Sequence, residues 1–176
     1  GDSGVSALAS ACANGAMVRL EVLDLPSNRS SDAGLIALSD AVRKGALQNL
    51  KDLGLTANQI GDVGLTAFSA ALGSGALRNL EFLGLDGNQF GHVGLSALAN
   101  ALSNGALPNL KELSLIVTQI GDPGMTSLSD ALSVGTLPQL KKLHLSGNQI
   151  GDSGVSALAS ACANGAMERL SILDLD

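Results

Sequence analysis

The chain has 176 residues, 45% of them hydrophobic but only 2% aromatic, with no Trp or Tyr. Its core must therefore be assembled from Leu, Ala and Gly in small repeated pieces rather than around a few large anchors. A net charge of −6 without a basic cluster argues against a nucleic-acid or anionic-membrane surface, and no apolar run approaches the ~20 residues needed to cross a bilayer. Two cysteines, Cys12 and Cys162, are too few for a disulfide scaffold and fit a reducing, cytoplasmic setting. With no signal-peptide pattern and no initiating Met, the ends read as those of an excised or processed piece.

Aligned on itself, the chain repeats every 30 residues without a gap, which implies a solenoid. The units are 1–30, 31–60, 61–90, 91–120, 121–150 and 151–176, together one domain. The first half of each unit reads as a helix. In Gly121–Gly135 the apolar residues Met125, Leu128 and Leu132 recur at spacings of three and four, with Ala131 beside them. Asp122 stands where a carboxylate caps the first turn, and Pro123 follows at the position where a missing N–H costs nothing. Asp2, Asp32, Asp62 and Asp152 repeat the cap; His92 interrupts it, so the fourth helix is expected to start less firmly. Gly15, Gly45, Gly75, Gly105, Gly135 and Gly165 close the helices by taking the left-handed conformation.

The second half reads as a strand. Leu140, Leu143 and Leu145 alternate too tightly for a long helix and define a short strand with two faces. One helix per strand implies parallel strands joined by right-handed crossovers. Strands stack ~4.8 Å apart and helices need ~8–10 Å. Such a stack must curve, with strands on the concave face and helices outside.

The sequence Leu140–Gly151, L-K-K-L-H-L-S-G-N-Q-I-G, and its copies resemble the leucine-rich-repeat signature L-x-x-L-x-L-x-x-N-x-I. The full helix in each unit makes the ribonuclease-inhibitor-like subclass the nearest resemblance. The expected fold is thus an α/β, right-handed leucine-rich-repeat solenoid, one arc of a horseshoe. The resemblance implies an asparagine ladder that bonds backbone in the turn after each strand; Asn28, Asn58, Asn88 and Asn148 match it. Thr118 departs from it, with fewer bonds to offer, so a looser or rearranged turn is expected there.

No chemistry can be assembled. His92 and His144 lie two units apart, one at a helix start and one on a strand, so neither a shared metal nor a catalytic pair is expected. The G-D-x-G runs are explained by helix caps, with no calcium-loop or phosphate-loop spacing after them. Asn28-Arg29-Ser30 has the pattern of a glycosylation site, but the ladder position directs Asn28 inward. Cys12 and Cys162 fall on the core side of their helices and are expected to be inert and buried. The protein is therefore read as having no enzymatic activity and no cofactor.

What varies is the strand face. Residues between the framework leucines should point out of the concave sheet. They form three columns: Val22, Asp52, Phe82, Glu112, Lys142, Ile172; then Asp24, Gly54, Gly84, Ser114, His144, Asp174; then Pro26, Thr56, Asp86, Ile116, Ser146. Candidate partner-binding residues are Val22, Asp24, Asp52, Phe82, Asp86, Glu112, Ile116, Lys142 and His144. Phe82 stands out as an exposed aromatic with room beside it over Gly54 and Gly84. The expected function is a protein–protein interaction module, its partner a protein.

Residues 1–17 and 151–167 are identical, down to the cysteine and methionine, which points to a duplication or a copied unit. Neither end shows a polar cap, although Pro26 on one edge and Asp174 and Asp176 on the other discourage pairing. Head-to-tail self-association is a candidate property. Two other readings stay open: a repeat array with no ligand beyond self-assembly, and a GTPase regulator, since Ran GTPase-activating protein is similar in repeat subclass.

Overall fold

The computed structural model describes residues 1–165 and 167–175; the expected edge charge at Asp176 lies outside them. Among the described residues, six helices alternate with six strands: α1 (Asp2–Ala13), β1 (Val22–Asp24), α2 (Asp32–Arg43), β2 (Asp52–Gly54), α3 (Asp62–Leu72), β3 (Phe82–Gly84), α4 (His92–Ser103), β4 (Glu112–Ser114), α5 (Asp122–Ser133), β5 (Lys142–His144), α6 (Asp152–Ala163) and β6 (Ile172–Asp174). The strands form one parallel sheet in sequence order. Their register pairs residues 30 apart: Val22 with Asp52, Asp52 with Phe82, Phe82 with Glu112, Glu112 with Lys142, Lys142 with Ile172. The sequence period is thus the register of the sheet, and each column of the alignment becomes a row of side chains. Unit n below means αn with βn.

The core lies between the two layers. In the inner units Leu53, Leu83, Leu113 and Leu143 come from the strands, and Leu35, Leu65, Leu98 and Leu128 from the helices; all are buried. A fully buried leucine contributes about 2 kcal/mol, so the repeat of one residue type is enough to hold the stack. The two phenylalanines Phe68 and Phe90 are wholly enclosed. The helices leave through Gly15, Gly45, Gly75, Gly105, Gly135 and Gly165, whose φ values run from +70° to +87°, as the glycine spacing predicts.

The aspartates act differently from the expected caps. Each is the first residue of its helix, and Gly1, Ser31, Gly61, Gly121 or Gly151 holds the cap position. The carboxylate reaches across to the next helix instead. Gly91 N–H and Gly94 N–H donate to Asp62 Oδ1 at 2.9 and 2.7 Å. Gly151 N–H and Gly154 N–H donate to Asp122 Oδ1 at 2.7 and 3.0 Å, Gly61 N–H to Asp32 Oδ1 at 2.6 Å, and Ser31 N–H and Gly34 N–H to Asp2 Oδ1 at 2.7 and 3.1 Å. These are the orphan amides of a helix start, satisfied by a neighbour's side chain. The second glycine of G-D-x-G makes room for it: a Cβ at Gly64 would lie 2.5 Å from Asp32 Oδ1, and one at Gly94 would lie 2.9 Å from Asp62 Oδ1. The effect of His92 therefore moves by one unit. α4 is served by Asp62; it is α5 whose Gly121 and Gly124 amides lack a carboxylate.

The asparagine ladder forms where two units meet. Asn58 Nδ2 donates to Leu25 O and Leu55 O (2.9 and 3.0 Å), while its Oδ1 accepts from Asn28 N–H and Ser30 N–H (3.1 and 2.9 Å). Asn148 repeats the pattern in full, and Asn88 repeats it with a single bond to its Oδ1, from Ile60 N–H at 3.1 Å. Asn28 does not: it is exposed, with its Nδ2 on Pro26 O alone (3.2 Å), because no earlier unit covers it in this chain. The inward placement expected for it is thus corrected. Thr118 Oγ1 donates to its own Leu115 O at 2.9 Å but to nothing in unit 3. The turn responds. Gln119 takes φ +67°, and its N–H misses the bond that Gln59, Gln89 and Gln149 make to the preceding unit.

A third ladder had no counterpart in the sequence reading. Asn49, Asn79 and Asn109 donate through Nδ2 to Val18 O, Gln48 O and Arg78 O at 2.8–2.9 Å. Its signal, asparagine recurring at the strand entrance every 30 residues, was present in the sequence.

Candidate functional site

The strand face carries every residue proposed for binding, and the register brings them together in rows. Six of them fall in units 3 to 5, with Phe82, Glu112 and Lys142 side by side in one row. Lys142 Nζ bonds Glu112 Oε2 at 2.9 Å. His144 sits between two carboxylates, its Nε2 3.7 Å from Glu112 Oε1 and its Nδ1 3.7 Å from Asp174 Oδ2. Its side chain is 21% exposed, so it is a flanked, half-buried group rather than the open contact residue expected. Val22 and Asp24 are exposed, and Asp52, Ile116 and Lys142 are half-buried.

Phe82 departs from the expectation of an exposed ring beside an empty space. It is half-buried, and the room over Gly84 is filled by the ring itself: a Cβ there would lie 2.8 Å from Phe82 Cζ and 3.1 Å from Cε1. Asp24 does the same over Gly54, its Oδ1 2.2 Å from where a Cβ would stand. The two glycines thus let larger neighbours lie down on the sheet. Such a ring is held in place, and little motion is left to lose on contact.

Asp86 has partners already. Its Oδ1 accepts from Ser114 Oγ (2.5 Å) and Ile116 N–H (2.7 Å), and Thr56 Oγ1 lies 3.5 Å from its Oδ2. It braces the exit of β4 and so orients Ile116. Beside the strands runs a second charged row. Lys51 bonds Glu21 at 2.8 Å, and Lys111 bonds Glu81 at 2.6 Å. The Glu21 carboxylate holds the Lys51 ammonium above its ordinary pKa, and Lys111 holds the Glu81 carboxyl below its own.

Other expected sites fare as follows. Cys12 is buried, and desolvation raises its thiol pKa. Cys162 is exposed, contrary to expectation, because the side of α6 that bears it faces no further helix in this chain. His92 is exposed at the start of α4. Among the described residues, no group of His, Cys, Asp and Glu could hold a metal. Five clefts on the surface are lined by helices and their exit loops, the largest being about 490 Å³ beside Arg43 and Arg78; none of the five includes a strand residue. None of these five opens on the strand side, where the rows of side chains form a patterned sheet.

Residues 46–69, 76–99 and 137–159 match the leucine-rich-repeat family model. Each match runs through a strand and into the following helix. Together with six in-register strands alternating with helices, these matches support a leucine-rich-repeat protein. Such repeats in general mediate protein–protein interaction. No curated protein matches the chain. No helix among the described residues is long and apolar enough to cross a membrane.

Proposed function

We propose that the chain is a non-enzymatic module that binds a protein through the strand face, centred on Phe82 and the Glu112–Lys142–His144 group. The supporting observation is the row Asp52–Phe82–Glu112–Lys142 laid side by side by the register, an aromatic between an acid and an ion pair on a broad sheet. Small ligands need concave, enclosed sites; a broad sheet suits a protein surface. An anchored aromatic ringed by polar groups has the composition of a binding hot spot. Val22, Asp24, Asp52 and Ile116 would form the rim, and Asp86 would act by holding Ile116 in place.

The complementary partner presents an apolar patch to Phe82, with charges matched to Glu112 and Lys142. Affinity capture with the wild type against Phe82→Ala/Lys142→Glu tests the assignment. Loss of a hot-spot aromatic costs about 2 kcal/mol, near thirtyfold in Kd. A partner retained equally by both proteins would remove the strand face from consideration.

A further inference from the structure

We infer, on the strand-face reading above, that the partner contributes one extended segment that crosses the strands with its charge split about an apolar residue, cationic over unit 2 and carboxylate-bearing over unit 5. Units 2 to 5 each have a neighbour on both sides, so their strand rows are complete. In the rows that enter, cross and leave the strands, units 2 and 3 carry the carboxylates Asp52, Glu81 and Asp86 against one lysine, Lys51. Units 4 and 5 carry Lys111, Lys141 and Lys142 against one carboxylate, Glu112. The face of an acidic chain therefore changes sign across its width, and the change falls between β3 and β4, beside Phe82. Glu21 and Asp24 extend the acidic side into unit 1, and Asp174 lies past His144 in unit 6.

Most of these charges are already engaged. Lys51 is on Glu21, Lys111 on Glu81 and Lys142 on Glu112, at 2.6–2.9 Å, and Asp86 holds Ser114 and Ile116. Among the described residues of units 2 to 5 in these rows, the charged side chains left with neither an ion pair nor a side-chain hydrogen bond are Asp52 and Lys141. Asp52 is half-buried and Lys141 exposed. They stand on opposite sides of Phe82. Asp52 is its direct neighbour in the register, and Lys141 precedes Lys142, two strands away. A strand spacing of ~4.8 Å sets them about 5 and 10 Å from the strand of the ring. An extended chain advances ~3.3 Å per residue. A cation two residues to one side of an apolar residue, and a carboxylate three residues to the other, therefore reach Asp52 and Lys141 while the apolar residue rests on Phe82.

A second copy of the chain, turned face to face, fits less well. A half-turn about Phe82 brings Asp52 of one copy over Glu112 of the other, since these residues flank Phe82 in the register, and facing like charges are disfavoured at an interface. A single segment brings only the charges that Asp52 and Lys141 lack. Its preference for the face weakens with salt, which screens exposed charges.

Fluorescence polarisation with labelled synthetic peptides tests this. The probes are R-R-G-L-G-G-E-E, the same composition with its charges mixed, R-E-G-L-G-G-R-E, an all-basic R-R-G-L-G-G-R-R and an all-acidic E-E-G-L-G-G-E-E. The split peptide should bind about two- to tenfold tighter than the mixed one at low salt, as expected for two exposed ion pairs. Lys141→Glu, at an exposed position, and separately Asp52→Lys should each erase most of that preference, with circular dichroism checking the fold. Phe82→Ala should weaken all the peptides without altering their order. An unaltered affinity in Phe82→Ala removes the anchor of the proposed function and leaves the split standing, whereas a lost order with the Phe82 effect intact refutes the split alone. A split peptide bound no better than the mixed one up to millimolar concentration, an all-basic peptide bound tightest, a preference untouched by Lys141→Glu, or a wild type that dimerises through a contact broken by Lys141→Glu would each overturn the inference.

Discussion

His92→Asp should stabilise the protein, although it adds a negative charge to an acidic chain. The backbone already fits the new side chain. A Cβ at Gly124 would lie 3.3 Å from His92 Cα, and one at Gly94 lies 3.2 Å from Asp62 Cα, so α4 and α5 approach each other as α3 and α4 do. An aspartate at 92 then meets Gly121 N–H and Gly124 N–H as Asp62 meets Gly91 and Gly94. Hydrogen bonds to a charged group contribute about 1.5–3 kcal/mol when buried, while partly hydrated helix-start caps are typically worth about 1 kcal/mol. Against this stand Asp62 and Asp122, one helix away on either side. At ~9 Å in water each repels by about 0.5 kcal/mol before salt screening. The bonds win by about 1 kcal/mol at ordinary ionic strength, or roughly 2–4 °C in Tm for a chain of this size. Urea unfolding should show a higher midpoint with an unchanged slope, and amide exchange at Gly121 and Gly124 should slow. A midpoint that stays put or falls, with Gly124 exchange unaltered in a folded protein, would show that the carboxylate row is not what secures the helix starts.

Two further predictions concern the same row. Gly94→Ala should destabilise by about 1–3 kcal/mol through overpacking against Asp62 and Leu65, whereas Gly4→Ala, facing open space, should stabilise by about 0.5–1 kcal/mol through helix propensity; paired denaturation curves check the opposite signs. The Ser31 hydroxyl and the Ser31 and Gly34 amides hold the Asp2 carboxyl below its usual 3.8. A depressed carboxyl stabilises the fold above its unfolded pKa and loses that contribution as pH falls through the folded value, so stability should drop in acid below about pH 3.8. Ser31→Ala should raise the Asp2 pKa, as read by NMR titration; an unmoved pKa refutes the assigned cause.

The fold was legible because a 30-residue period carries its own register. Once Leu140, Leu143 and Leu145 are seen to recur, strand order and pairing follow without further information. The aspartates were misassigned for a physical reason. A carboxylate one residue into a helix has the same sequence pattern whether it serves its own first turn or the next helix, and only packing decides. Asn28 and Cys162 were misplaced because burial in a stack belongs to the gap between units, so the same residue type changes state at the outermost units. At the candidate site the rows of residues were legible, but the posture of Phe82 over Gly84 and the engagement of Asp86 by Ser114 were not. Both depend on side chains from adjacent units settling into space that a linear pattern does not describe.

The three ladders also set where the stack is mechanically soft. Units 1–2 and 2–3 are pinned at three corners by Asp2, Asn58 and Asn49, and by Asp32, Asn88 and Asn79. Units 3–4 lose one pin at Thr118 and keep Asp62 and Asn109. Units 4–5 keep only Asn148, since His92 replaces the aspartate and Gln139 stands where the third asparagine would. Where ladder bonds are missing, the seam depends on its other contacts, which between units 4 and 5 include the Ser96–Ser127 hydroxyl pair at 2.8 Å and the Glu112–Lys142 ion pair at 2.9 Å. That seam runs between Glu112 on one side and Lys142 and His144 on the other, so the strand-face ion pair is part of what closes it. A partner that drew Lys142 away from Glu112 would therefore loosen that seam, as a change in the pitch of one unit against the next.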